Sequence, residues 1–210
     1  MRLLPAGLAV LALLSSATSA HAQRFGIAGE AGYMDLTSSR QSAIAIFGSS
    51  GGATYGGSLR YVHKSAFYVA AGALYWSETG ERVFIPSASG AVSHLGFPLS
   101  VRIVPITATV GYRFRNTHAL VPYLGVGGGV TQYHEESDVT GDVQTESRSN
   151  GTFVVEGGLE YGKGPLRVAA EGRYSAVKDA VGLGGVSKVY GERDLGGWSV
   201  LGKLVFAFGR

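Results

Sequence analysis

The chain alternates apolar and polar residues over strand-length segments, and this period of two is the feature that most constrains its fold. In the segment 166–176, one parity is mainly apolar, whereas the other carries the charged residues Arg167, Glu171 and Arg173. Successive side chains of a β-strand point to opposite faces of the sheet, so this pattern predicts a strand with one apolar and one polar face. Helical periodicity is hard to find after residue 22, and the chain is therefore predicted to be all-β.

Strand-length segments of this kind are separated by connections that are alternately long and short. The predicted strands are 25–34, 55–62, 66–77, 99–114, 121–134, 152–161, 166–176 and 198–208. The pattern leaves the faces of the third, fourth and fifth strands unassigned, and Pro105 predicts a bulge or edge irregularity in the fourth. The long connections are 36–53, 79–98, 136–150 and 178–194, and the short ones are 63–65, 115–120 and 162–165. This arrangement predicts an eight-stranded antiparallel transmembrane β-barrel with long extracellular loops and short periplasmic turns.

The N-terminus has the features of a cleaved export signal. Arg2 precedes an apolar run, 3–14, and the sequence Ala20-His21-Ala22 has the A-x-A form of a cleavage site. The run is shorter than the ~20 apolar residues that a membrane-spanning helix needs. We therefore expect residues 1–22 to be a cleaved signal peptide and residues 23–210 to form one barrel domain in the bacterial outer membrane.

The composition favours a membrane barrel over a soluble β-protein. Charged residues make up 16% of the chain, below the ~25% of a typical soluble domain, and 33 of the 210 residues are glycine. The chain has no cysteine, which excludes disulfides and thiolate metal sites. The net charge is +3 without a basic cluster, which argues against nucleic acid as a partner. A soluble β-sandwich or calyx is the alternative, because both folds also alternate.

Two sets of residues are candidates for a functional role, one on each face of the predicted sheet. The polar parity supplies a charge network for the barrel interior: Glu30, Arg60, Glu156, Glu160, Arg167, Glu171, Arg173 and Lys203. The apolar parity supplies aromatic girdles for the two membrane interfaces: Phe25, Tyr33, Phe153, Tyr161, Tyr174, Trp198, Phe206 and Phe208. The interior charges would either fill a narrow lumen as a structural network or open a gated path by changing partners.

One hairpin carries a resemblance to known families. Residues 104–114 end in Gly111-Tyr112-Arg113-Phe114, and after a short turn residues 121–130 begin with Val121-Pro122-Tyr123 and continue with alternating glycines. This pattern resembles the mid-barrel hairpin of the OmpA-like, OmpX-like and OmpW-like outer-membrane barrels. The terminal strand, with Phe206 and Phe208, looks like the signal that the barrel-assembly machinery reads. The resemblance implies a monomeric barrel that contacts outer-membrane lipid and lipopolysaccharide, with a surface partner that the sequence does not identify.

The sequence favours a structural, envelope-stabilising or surface-interaction role, and it predicts neither an enzyme nor a cofactor. The nearest phosphate-loop pattern, 157–164, ends in Gly164 where serine or threonine is required, and a strand follows instead of a helix. The histidines have no metal-ligand spacing, so no metal site is predicted. One alternative is a narrow channel or transporter for small molecules, apolar ones included. The other is a lipid A-modifying enzyme, although the His-x-Ser-Asn motif of the outer-membrane deacylases is absent.

Overall fold

Eight antiparallel strands close into a barrel in sequence order, because β1 pairs with both β2 and β8. The computed structural model describes residues 24–85, 91–114, 119–139, 141–180 and 190–209. The strands are β1 (Arg24–Asp35), β2 (Gly51–Val62), β3 (Phe67–Phe84), β4 (Ser93–Arg113), β5 (Leu120–Val139), β6 (Asp142–Tyr161), β7 (Leu166–Val177) and β8 (Leu195–Phe208). The predicted all-β, eight-stranded antiparallel barrel is confirmed. The predicted signal peptide, residues 1–22, lies outside the described residues and stays a prediction.

The alternation of side chains sorts the residues of each strand between a lumen and an outer surface. In β7, Arg167 and Glu171 are buried, whereas Leu166 and Val168 on the other parity are 60% and 51% exposed. An outer surface of apolar side chains suits a hydrocarbon environment, and closure of the barrel satisfies the backbone groups of the wall. In the described part of the chain, no helix is long and apolar enough to cross a bilayer.

The two ends of the barrel differ in their connections. At one end, named the turn end, short connections join the strands at 63–66, 114–119 and 162–165. At the other end, named the loop end, the connection 36–50 contains a single 3-10 turn (Thr37–Ser39) and a helix, α1 (Arg40–Phe47). Helix α1 ends at Gly48, which has a φ of 75° and donates its N–H to the carbonyl of Ile44 at 2.9 Å. Glycine is favoured at the residue after a helix when the backbone there is left-handed, as it is at Gly48.

Two of the predicted long connections are mostly strand. Strand β3 continues to Phe84 and its partner β4 begins at Ser93. Likewise, β5 continues to Val139 and its partner β6 begins at Asp142. The predicted bounds of the connections 79–98 and 136–150 are therefore wrong. These segments are rich in polar residues on both parities, so the apolar face that marks a strand of the membrane wall is missing from their sequence.

Pro105 interrupts the β3–β4 ladder without changing its register. Ala73 lies opposite Ile106 and Trp76 lies opposite Ile103, which is one register on both sides of the proline. Proline has no N–H to donate to the neighbouring strand, so the ladder is broken between these pairs. The predicted irregularity at Pro105 is thus a gap in the ladder, and the register shift lies elsewhere, between Glu81 and Val83.

Candidate functional site: a filled lumen below a projecting sheet

The middle of the lumen is filled by a network of charged side chains, named the middle cluster. Its members are Glu30, Glu156, Glu171, Arg173 and Lys203, all from the predicted interior set and all buried. Arg173 Nη2 lies 2.9 Å from Glu171, 3.3 Å from Glu156 and 3.8 Å from Glu30. Lys203 Nζ lies 2.5 Å from Glu171 and 3.2 Å from Glu30. Each buried charge therefore has at least one partner of opposite sign, which is the condition for burying it at all.

The strand register is what brings the middle cluster together. Glu30 on β1 lies opposite Lys203 on β8, and Glu156 on β6 lies opposite Arg173 on β7. Side chains directly opposite each other in antiparallel strands are close neighbours. Residues from the two ends of the chain thus meet because the barrel closes between β1 and β8.

Two lumen tyrosines hold carboxylates of the middle cluster. Tyr68 Oη donates to Glu156 and Tyr123 Oη donates to Glu171, each at 2.9 Å. Room for the Tyr123 ring comes from Gly158, where an added methyl group would lie 2.6 Å from Tyr123 Oη. Neither tyrosine is among the predicted lumen residues, because the sequence pattern leaves the faces of β3 and β5 unassigned.

A second network, named the turn-end cluster, consists of Arg60, Arg113, Glu160 and Arg167. Arg113 Nη2 and Arg167 Nη1 lie 2.5 Å and 2.8 Å from Glu160 Oε1, and Arg60 donates to Glu160 Oε2. Three of these residues belong to the predicted interior set, and Arg113 does not. Alternation could have identified Arg113 as an interior residue, since it lies on the same face of β4 as Thr109 and both are buried.

An apolar plug closes the lumen at the loop end. Helix α1 buries Ala43, Ala45 and Ile46 against a cluster of buried wall and connection residues that includes Leu36, Trp76, Leu99, Ile103, Tyr133 and Leu195. The void between α1 and the wall has a volume of about 20 Å³, and so does the void beside the middle cluster. A void of that size holds about one water molecule. Protein side chains thus occupy the lumen at three levels: the plug, the middle cluster and the turn-end cluster.

A carboxylate from the last connection anchors helix α1. Glu192 accepts hydrogen bonds from the backbone N–H groups of Gln41 at 3.2 Å and Ser42 at 2.9 Å. The first N–H groups of a helix have no partner within the helix, and a negative charge there is favoured by the helix dipole. The first and last connections of the loop end are thus tied together at the plug.

The predicted girdle aromatics lie on the outer parity of their strands, in two groups. Near the turn end are Phe25, Tyr161, Phe206 and Phe208, and near the loop end are Tyr33, Phe153, Tyr174 and Trp198. The rings of Phe25 and Phe208 stack at 5.9 Å across the β1–β8 seam, and those of Tyr174 and Trp198 lie 5.1 Å apart. Their placement at the two membrane interfaces stays a prediction.

Four strands continue past the rest of the wall and form what we name the projecting sheet. It consists of residues 77–84, 93–101, 132–139 and 142–150. Strand β2 pairs with β3 up to Trp76, so it does not accompany residues 77–84. Strand β7 pairs with β6 from Thr152 onward, so it does not accompany residues 142–150. The eight residues of β5 from Gln132 to Val139, at roughly 3.3 Å per residue and a tilt of about 40°, raise this sheet by about 20 Å.

The two outer edges of the projecting sheet differ. The edge of β3 is approached by α1, because an added methyl group at Gly80 would collide with the carbonyl of Ile46. The edge of β6, residues 142–150, pairs with no strand among the described residues. At its base the side chain of Asn150 donates to the carbonyls of Lys178 and Asp179, at 3.1 Å and 3.2 Å, and further up Arg82 donates to the side chain of Gln144 at 3.1 Å. An unpaired edge presents backbone N–H and C=O groups to which another strand can bind.

Comparison with known proteins agrees with this architecture. The family model of the outer membrane protein beta-barrel domain matches residues 6–188. A major outer membrane protein from Thermus thermophilus is similar with a TM-score of 0.56 at 13% identity, over 90% of this chain and 100% of that chain. OprG from Pseudomonas aeruginosa is similar with a TM-score of 0.51 at 12% identity, over 90% of this chain and 95% of that one.

The Neisserial surface protein A is also similar, with a TM-score of 0.48 at 15% identity, over 89% of this chain and 96% of that one. No curated protein sequence matches the chain. At such low identities, the likeness to the solved structures concerns the fold alone.

Proposed function

Since the chain belongs to the outer membrane protein beta-barrel domain family and lies in the bacterial outer membrane, we propose that it is a sealed anchor that presents the projecting sheet to partners outside the cell. In such barrels the short turns face the periplasm and the long connections face outward. The observation that carries the proposal is the projecting sheet itself, which stands above a lumen filled by the plug and two charge clusters. Recognition commonly resides in parts that a rigid scaffold holds in place.

The charge and shape of the projecting sheet favour an extended, basic polypeptide as the partner. A peptide added to the free edge of β6 would gain main-chain hydrogen bonds, and its alternate side chains would contact the sheet. Opposite charges on the two partners speed association and select the partner. In the sheet and the adjoining Arg102, acidic residues outnumber basic ones: Glu78, Glu81, Glu135, Glu136, Asp138, Asp142 and Glu146 against Arg82, Arg102 and Arg148.

A trimmed variant tests this proposal. Residues 135–146 are replaced by a two-residue hairpin turn that joins His134 to Ser147, which lie directly opposite each other in the ladder. Short random peptides displayed on phage are selected on the wild-type protein in nanodiscs and then tested on the trimmed variant. We expect basic, extended peptides that bind the wild type and a Lys64→Gln control equally but lose binding to the trimmed variant. Failure to enrich any peptide over empty nanodiscs, or equal binding to the trimmed variant, would contradict the proposal.

The filled lumen argues against the alternative of a narrow channel or transporter. Passage of a solute would require α1 to leave the mouth of the barrel and both charge clusters to separate. Glu192 holds α1 in place through the backbone of Gln41 and Ser42. The structural-network reading of the interior charges is therefore the one that we propose.

A Ser–His–Glu grouping on the projecting sheet is the feature that an enzyme could use. His134 Nδ1 lies 2.8 Å from Ser147 Oγ, but its Nε2 lies 4.0 Å from Glu136. That separation is too long for a hydrogen bond, and Glu136 is 56% exposed. Moreover, the backbone here is paired in the β5–β6 ladder instead of directing N–H groups at a substrate oxygen. We propose that this grouping is a cross-strand surface contact and that the protein is not an enzyme.

The membrane partners that we propose follow from the closed wall. Because β1 and β8 pair along the seam, the described membrane wall has no open edge through which a second copy could join it, and the free edge of β6 lies above the wall in the projecting sheet. We propose a monomer that contacts outer-membrane lipid and lipopolysaccharide after insertion by the barrel-assembly machinery. Chemical cross-linking of the protein in outer-membrane fractions tests this, since a ladder of homo-oligomers would contradict a monomer.

A further inference from the structure

The turn-end cluster holds more positive charge than its own carboxylate can balance. The guanidinium groups of Arg60, Arg113 and Arg167 converge on Glu160, so three positive charges share one negative charge. The turn-end cluster therefore carries a net charge of +2. The middle cluster has three carboxylates against the two cations Arg173 and Lys203, so its own net charge is −1 and the two clusters together carry +1.

This excess charge is buried. The side chains of Arg60, Arg113 and Arg167 are 14%, 9% and 8% exposed, and that of Glu160 is 1% exposed. Water screens like charges weakly in such a place, and a buried charge without a counter-charge is far more costly than an exposed one. A small anion that joined the cluster would relieve this repulsion directly.

The cluster also has hydrogen-bond donors to spare. Each guanidinium has five N–H donors, and Arg113 Nε is buried without an acceptor among the described protein groups. Glu160 receives one bond from each arginine, and Arg167 Nε donates to the carbonyl of Gly164 at 3.0 Å. The planar fork of a guanidinium fits the paired oxygens of phosphate, so the unused donors are of the kind that binds an oxyanion.

The surroundings of the cluster add to the attraction. Arg24, Lys64 and Lys163 are exposed at the turn end, and no acidic residue is exposed at that end in the described ranges. A mouth lined by one sign of charge raises the local concentration of the opposite ion. Since the apolar plug closes the loop end, an anion would reach the cluster from the periplasm.

We propose that the turn-end cluster is an oxyanion site that binds one phosphate group from the periplasmic side. The positive charge of the turn-end cluster, +2 by itself and +1 with the middle cluster counted, favours an oxyanion, and the guanidinium donors that Glu160 does not use can bind its oxygens. The phosphate group would come either from free phosphate or from a phospholipid headgroup at the mouth of the barrel. This site is independent of the projecting sheet and of its partners.

Direct binding tests the proposal on the intact protein. The barrel, folded in dodecyl maltoside micelles, is dialysed against radiolabelled inorganic phosphate while sodium chloride keeps the ionic strength constant. We expect one saturable site per barrel, for which sulfate competes and chloride does not. Binding that does not saturate, or that chloride abolishes equally well, would overturn the proposal.

Two substitutions move the affinity in opposite directions if the site is real. Glu160→Gln removes the carboxylate that competes with phosphate, so phosphate should bind more tightly. Arg113→Gln removes a charge and the unpartnered donor, which should weaken binding about tenfold, as expected for a lost charge-assisted hydrogen bond. The matched control is Arg148→Gln, since Arg148 pairs with Glu146 at 2.7 Å on the projecting sheet and should not affect binding.

The Glu160→Gln variant also distinguishes a phosphate-binding role of the cluster from a purely structural one. A cluster with a purely structural role predicts no phosphate binding in any variant. If Arg113→Gln does not fold, the comparison of wild type with Glu160→Gln still decides, because equal or weaker binding by Glu160→Gln overturns the proposal. Nanodiscs then distinguish the two sources of phosphate. Anionic lipid should lower the number of sites open to free phosphate if a headgroup fills them, whereas an unchanged number identifies free phosphate as the ligand.

Discussion

Replacing Glu171 with glutamine tests whether the middle cluster stabilises the barrel through its charges. Glu171 contacts Lys203 at 2.5 Å, Arg173 at 2.9 Å and Tyr123 at 2.9 Å, and its side chain is 1% exposed. Removing one partner of a buried ion pair costs about 3–5 kcal/mol, because the opposite charges stay buried without it. Glutamine keeps an oxygen that can accept from Tyr123, so we expect a loss near the lower limit, about 3 kcal/mol.

Urea unfolding of the barrel in lipid vesicles, followed by tryptophan fluorescence, measures this loss as a change in the free energy of unfolding. The matched control is Glu81→Gln, because Glu81 lies 3.5 Å from His94 and both side chains are more than half exposed. The control should change the free energy of unfolding by less than about 1 kcal/mol. Equal losses in the two variants would refute a stabilising role for the buried charges.

A second substitution checks the physical reason for the loss. In the Glu171→Gln background, Lys203 keeps only its 3.2 Å contact with Glu30. Lys203→Met in that background removes a cation that has lost a partner, and it should restore part of the lost stability. A further loss of similar size would show that Lys203 contributes through something other than its pairing with Glu171.

The remaining predictions concern the packing of the lumen, the plug and conductance. Gly158→Ala should lower the temperature at which the folded band disappears in a heat-modifiability gel, because its methyl group would collide with the carbonyl oxygen of Ala170 and lie 2.6 Å from Tyr123 Oη. Overpacking of this kind costs about 1–3 kcal/mol. Gly151→Ala, on the same strand with nothing within 4 Å, should leave that temperature unchanged, and a similar drop would contradict the packing argument. Glu192→Gln should speed hydrogen exchange in α1 about fivefold without changing the global unfolding, because the charge at the helix N-terminus contributes about 1 kcal/mol; an unchanged exchange rate would show that Glu192 does not hold α1. Planar-bilayer recordings of the wild type should show no steady conductance, and regular steps would contradict a filled lumen.

Most of the wall could be predicted from the sequence, because its strands separate two environments of opposite character. In β7, the parity of Arg167 and Glu171 enters a polar lumen, and that of Leu166 and Val168 faces outward. Where both faces of a strand carry polar residues, the signal disappears. The projecting sheet is the example, since even its buried parity in β5 includes Glu135 and Ser137 beside Tyr133, and its strands resemble polar loops in sequence.

Parity also explains which lumen residues could be found. Seven of the eight predicted interior charges have side chains that are at most 10% exposed and Arg60 is 14% exposed, because each lies on a strand with a clear polar face or pairs with such a strand. Tyr68 and Tyr123 were not recognisable, because an aromatic ring with one hydroxyl group suits a lumen as well as a membrane interface. Helix α1 was not recognisable either, since it is only eight residues long and depends on the barrel mouth for its packing.

The sequence by itself determined that this chain is a barrel, which residues of most strands face inward, and that the interior carries charges of both signs. Only the tertiary structure decided which of these charges meet. Glu30 and Lys203 are far apart in the sequence, yet the register of the β1–β8 seam places them side by side. Alternation along a strand depends on local geometry, so it can be recognised from the types of neighbouring residues. Register and closure depend on the simultaneous fit of all eight strands, so the two charge clusters and the plug exist only once the barrel has closed.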